Sequence, residues 1–157
     1  RRGALLMRAL LSAALIAASP AVAEQVGEVG VDWVGNDVII EAIADPDVKG
    51  VTCHIAYFER GLIDRLSKGN WFEDPSNSAI QCTRTGMIEL SEIDTGDDGE
   101  KVFSEGRSVV FKSLSVRRIY DAENRVLIYL AHSTELSEGS AKMSLATVPL
   151  TDEDKAP

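Results

Sequence analysis

Two cysteines and two histidines among 157 residues leave little from which to build a zinc finger or a metal–thiolate centre. Such sites normally take three or four Cys, His or carboxylate ligands. Basic residues are scarce as well: 16 Lys and Arg stand against 25 Asp and Glu, a net charge of −9. Nucleic-acid binding draws much of its affinity from neutralising phosphates, so this charge excludes it as a working assumption. No apolar run approaches the ~20 residues that a bilayer-spanning helix needs. The chain also lacks internal repeats, low-complexity tracts and a linker, which points to one domain.

The beginning of the chain is the most informative stretch. Arg1, Arg2 and Arg8 precede an Ala/Leu-rich run from Ala9 to Ala18, broken by Pro20, and Ala21-Val22-Ala23 stands before Glu24. A basic start, a short apolar core and a small-residue A-x-A site are the order of a secretory leader. The expectation is removal of residues 1–23 by cleavage between Ala23 and Glu24. Met7 is an alternative translation start, and either start leaves a usable leader. Loss of the three leader arginines leaves 13 basic against 25 acidic residues, a net charge of −12. An exported domain that acidic is repelled by anionic lipid, so no membrane association is expected after leader removal. Its length suits a single core without metal support.

Beyond the leader the chain reads as strands and turns. Val38 to Ala44 is rich in β-formers and is closed by Asp45-Pro46-Asp47, whose proline presets a turn. Gly50 releases the chain into Val51–Phe58, where alternation places Val51, Cys53, Ile55 and Tyr57 on one face. Ile80 and Cys82 likewise share a face. Both cysteines therefore lie on apolar sides of strands, and an even count in an exported chain reads first as one disulfide, Cys53–Cys82. Gly61 to Ser67 is the one helical stretch expected. Ser108–Tyr120 and Arg125–Ser133 form a hairpin around Asp121 to Asn124, with Asn124 suited to a left-handed position. The first arm changes frame near Lys112 or Ser113, which predicts a bulge. The second arm is apolar on both faces and belongs at the centre of a sheet. A strand from Met143 ends at Pro149, and residues 151–157 are a polar tail. The expected fold is mainly β: a single antiparallel β-sandwich or flattened barrel over residues 24–150, with one short helix.

Candidate chemistry is thin. On an EF-hand pattern Asp94, Asp98, Gly99 and Glu105 fall at positions one, five, six and twelve, but Gly96 leaves the third position without an oxygen. His54 and His132 sit in strands and are too few for a zinc site. Neither a metal nor a cofactor is expected. Gly106-Arg107-Ser108 begins like a nucleophile elbow and then ends in valine, without the strand–turn–helix context. Arg117 and Arg118 can pair with acidic neighbours without any ligand. Trp71 and Phe72, adjacent aromatics between Gly69 and Pro75, are either a lid over the core or a contact patch for a partner.

Asp45-Pro46-Asp47-Val48-Lys49-Gly50-Val51-Thr52-Cys53 resembles the CreA family of small exported bacterial proteins. So, in order, do Ala79-Ile80-Gln81-Cys82, Val109 to Leu114, Ile119 to Ala122, Tyr129 to Ser133 and Glu138-Gly139-Ser140. The resemblance covers nearly the whole chain after the leader. It implies a periplasmic protein with no established biochemical activity and no active site to carry over. The functional expectation is thus a non-catalytic periplasmic binding or envelope accessory protein, with an envelope protein or a small ligand as partner. The alternative is a carboxylate-based hydrolase or carbohydrate-active enzyme, whose acid pair the sequence does not nominate.

Overall fold

Alternating apolar residues, turn signals at short intervals and few helix formers dictate an all-β chain, and the computed structural model is one. It describes residues 22–33, 35–59, 78–90, 92–134, 142–155 and 157. The expected helix at Gly61–Ser67, together with Trp71 and Phe72, lies outside the described residues. Eight strands follow in order: β1 (Glu24–Gly30), β2 (Asp37–Ala44), β3 (Lys49–Glu59), β4 (Ala79–Glu89), β5 (Glu100–Lys101), β6 (Leu114–Asp121), β7 (Val126–Ser133) and β8 (Met143–Pro149). They form two antiparallel meanders, β1-β2-β3-β4 and β5-β6-β7-β8, consistent with a sandwich and not closed into a barrel.

Each sheet turns one face to a shared core. From the first come Ile39 and Ile43 of β2, Val51, Cys53, Ile55 and Tyr57 of β3, and Ile80, Cys82 and Ile88 of β4. From the second come Leu114 and Val116 of β6, Leu127, Tyr129 and Ala131 of β7, and Ala146 and Val148 of β8. Strand β7 is flanked by β6 and β8, as its two apolar faces predict. Cys53 and Cys82 are opposite one another in the β3–β4 ladder and joined as a disulfide, with Cα atoms 3.9 Å apart and both side chains buried.

Three local features depart from the sequence reading. The frame change near Lys112 is not a bulge. Val109–Lys112 forms a 3-10 turn before β6, buries Val110 and Phe111, and is capped by Ser108 Oγ, which accepts the Val110 N–H. Phe111 stacks on Phe103, with ring centroids 5.1 Å apart, so two aromatics anchor the whole 103–111 connection. In the β6–β7 turn the left-handed residue is Arg125 (φ 54°), not Asn124. Asn124 instead donates its N–H and side-chain amide to Asp121. Strands β1 and β5 have no counterpart in the sequence reading at all.

A register shift between Lys49 and Val51 lets β4 continue past Gly86. It requires glycine at position 50, where φ is +83° and a Cβ would strike the Met87 carbonyl. Gly50→Ala should therefore cost at least ~2 kcal/mol, combining left-handed strain with the clash. The disulfide closes a loop of 29 residues, so Cys53→Ala/Cys82→Ala should lose about 3.5 kcal/mol. Urea unfolding of both variants checks these values. A double variant as stable as the oxidised parent would show that the bond does not hold the sheet.

Candidate functional site

Inward positions of a sandwich strand normally carry apolar side chains, so the polar ones mark where the core does something else. Arg118 follows Leu114 and Val116 on the inward face of β6, opposite Glu100 of β5 on one side and Tyr129 of β7 on the other. Its side chain is 1% exposed. Facing it from the first sheet is Asp45, 0% exposed at its side chain, where β2 leaves the sheet. One Nη of Arg118 donates to both Asp45 oxygens at 2.6 Å, and the other reaches Glu100, with Asp47 at 3.6 Å. Tyr129 donates its hydroxyl to Asp45 at 2.7 Å.

Local sequence explains why Asp45 is available. Its Oδ1 accepts the backbone N–H groups of Asp47 (2.9 Å) and Val48 (3.0 Å), an Asx-type turn for which Pro46 presets the backbone. The carboxylate is thereby aimed inward before the arginine arrives. Burial opposes the charge on Arg118, but the Asp45 and Glu100 carboxylates outweigh it and hold its pKa above the ordinary value. Burial and Asp45 push the Tyr129 phenol far up, so it stays a donor at every physiological pH. Of the Arg118 nitrogens, Nε alone is buried without a partner among the described residues. Arg118, Asp45 and Tyr129 are buried and bonded to one another, so none of the three is an exposed nucleophile. Chemically it is a clamp between sheets.

A second polar group sits further along the same inner face. Glu41, between Ile39 and Ile43 on the inward row of β2, accepts hydrogen bonds from the Tyr57 hydroxyl (3.1 Å) and from Ser108 Oγ. Burial, followed by Glu41, pushes the Tyr57 phenol well above its usual range. The Ser108 hydroxyl considered as a nucleophile is thus held between Glu41 and the Val110 N–H, pinning the 3-10 turn to the first sheet. A cavity of about 460 Å³ lined by Lys101 to Gly106 lies in the same connection, and neither Glu41 nor Asp45 lines it.

The third group joins the two sheets at their edges. Arg84 of β4 donates to both Asp154 oxygens at 2.7 Å and to the Pro149 carbonyl at 2.7 Å. Asp154 also accepts from the backbone N–H groups of Ile88 and Thr151 and from the Thr151 hydroxyl. Backbone bonds Leu90 to Lys155 (2.9 Å) and Lys155 to Ile88 (3.1 Å) complete the docking of residues 151–155 on β4. Hydrogen bonding to Arg84, then to backbone, holds the Asp154 carboxyl well below the usual carboxylate range.

Other sequence candidates are scattered. His54 is exposed on the outer face of β3. His132 lies on the outer face of β7, where its Nδ1 is 2.9 Å from the Ser133 carbonyl, so the two histidines belong to different sheets. Asp94 accepts the Gly96 N–H within its own turn, Asp98 offers its carbonyl to Arg117, and Glu105 sits in a separate 3-10 turn. Among the described residues no three His, Cys, Asp or Glu side chains are grouped to hold a metal ion. Ala23 donates its N–H to the Arg107 carbonyl at 3.1 Å, and Glu24 opens β1.

Arg118→Met should destabilise by about 3–5 kcal/mol, because Asp45 is left buried without its counter-ion. Adding Asp45→Asn should recover part of that loss rather than double it, as a chemical-denaturation cycle can show. For Asp154 the folded pKa lies below the unfolded one. Its contribution is therefore present above about pH 4 and is lost as pH falls further. Asp154→Asn should flatten the stability profile below pH 4, measured by thermal melts from pH 2 to 7.

Comparison with known proteins gives the chain a family. The family model described as CreA protein matches residues 26–153, a span that includes Glu41, Asp45, both cysteines, Arg118 and Tyr129. Protein CreA of Escherichia coli strain K12 is 43% identical over 150 residues, covering 90% of this chain and 93% of that protein. Protein CreA of the O157:H7 strain matches to the same extent. No solved structure matches. The chain belongs to the CreA family.

Proposed function

We propose that this chain is an exported periplasmic protein that works by contact, as a binding or accessory module of the cell envelope. The leader-like start supports export. A disulfide fits an oxidising compartment, and no helix among the described residues is long and apolar enough to cross a membrane.

One observation carries the contact reading: large apolar side chains stand in solvent outside the core. Trp33, in the β1–β2 connection, is 94% exposed, with Val29 and Val31 exposed nearby. On the outer face of the second sheet Met143 and Leu145 are exposed, and Leu145 neighbours Leu130 across the ladder. Clustered exposed apolar groups mark interaction surfaces more often than chance. The inward-facing carboxylates of Asp45 and Glu41, by contrast, are engaged by Arg118, Tyr57 and Ser108, which disfavours the carboxylate-based enzyme. Trp71 and Phe72 remain part of the proposal as an aromatic contact.

Photo-crosslinking amino acids placed at Trp33, Leu145 and Trp71 in intact cells test this reading. The expected result is one discrete envelope partner from at least one position, on a mature chain whose N-terminus is Glu24. Turnover of an envelope polysaccharide that Glu41→Gln abolishes, with no crosslink from any position, would overturn it.

A further inference from the structure

One strand at the edge of the first sheet carries both exposed apolar groups and acidic residues. β1 ends the first sheet, and among the described residues nothing pairs with its outer side. Six of its seven residues are exposed. From Val22 to Val48 the chain contains seven Asp and Glu and no Lys, Arg or His. Two of those acids, Asp45 and Glu41, are engaged in the interior. Glu24 and Glu28 are carried on β1 itself.

The ladder with β2 assigns the faces. Glu28 is opposite Ile39 and so lies on the core side of the sheet, while Val29, opposite Val38, lies on the outer side. Val31 continues the hairpin, its N–H bonded to the Asn36 carbonyl at 3.1 Å. Val29 and Val31, each 55% exposed, thus alternate with Glu28 and Gly30 along an edge that no described strand covers. The register shift between Gln25 and Gly27 ends the regular edge on its N-terminal side, leaving Gly27 to Val31. Gly27 keeps this stretch close to β2, since a Cβ there would approach Ile40 at 3.3 Å. Natural edges are commonly blunted by lysine, proline, bulges or inward-pointing charges; β1 has no lysine or proline, its register shift lies before Gly27, and Glu28 is the one core-side charge on the stretch that follows.

We infer that the outer edge of β1 is a strand-addition site for an extended segment of a partner protein in which basic residues alternate with apolar ones. Main-chain hydrogen bonds supply the affinity common to such additions, and alternate side chains supply the selection. The basic positions face Glu28 and the apolar positions lie beside Val29 and Val31. This inference rests on the contact reading above and names where the contact is made and with what chemistry.

The probe is the peptide acetyl-Lys-Val-Lys-Val-Lys-Val-amide, with its Glu-Val counterpart as control, titrated against the mature chain. Amide exchange by NMR is followed throughout. Binding of the Lys-Val peptide should slow exchange in Gly27–Val31, and Glu28→Lys should weaken it about tenfold while admitting the Glu-Val peptide. Leu145→Lys, on the other sheet, should leave the affinity unchanged. Three results would overturn the inference: no binding, binding without β1 protection, or self-association of the chain through β1 with no peptide uptake. A discrete partner captured from Leu145 alone would sustain the contact reading while removing β1 as its site.

Discussion

An arginine with its side chain almost wholly inside a protein is tolerable only if nearly every donor finds an acceptor, and that condition organises this fold. The cost of desolvating Arg118 and Asp45 is of the same order as their mutual attraction, so geometry decides the sign. The geometry here needs the Asp45 turn of one sheet, Tyr129 of the other and Glu100 of β5 in register at once. Close packing extends the constraint: a Cβ at Gly99 would strike the Arg118 carbonyl, so the loop entering β5 has one workable residue at that point. A hydrophobic contact in the same place would tolerate sliding of the sheets. This one fixes their alignment.

The remaining ties repeat that logic with smaller groups. The disulfide links neighbours in one sheet, Glu41 fastens the 103–111 connection through Ser108, and Arg84 fastens residues 151–155 through Asp154. Each joins segments far apart in sequence. The inward polar groups described above are thereby committed to holding the molecule together.

Where the sequence was legible, two-residue periodicity was responsible. Val51 to Tyr57, Ile80 with Cys82, and the doubly apolar β7 are found on the faces that alternation assigns. The pairing of Arg118 with acidic neighbours was also readable, although its burial was not. Alternation marks position 118 as inward only once the frame of β6 is known, and the 3-10 turn at Val109–Lys112 hides that frame. Glu41 could have been found as the polar residue that stands between Ile39 and Ile43 on the inward row of β2. Strand β1 escaped because Gly27 and Gly30 dilute its β-propensity and its edge position requires no buried face. Asp154 was hidden for a different reason: a polar tail residue acquires its role only from Arg84, 70 positions earlier.

The Asp45–Arg118–Tyr129 clamp holds the two sheets as one cooperative unit. Native-state hydrogen exchange of the Val48 amide, which donates to Asp45 at 3.0 Å, tests it most directly. This turn amide should exchange only through global unfolding, with the same opening free energy as amides of β7. Exchange of Val48 through a local, denaturant-independent opening, while β7 stays protected, would contradict it.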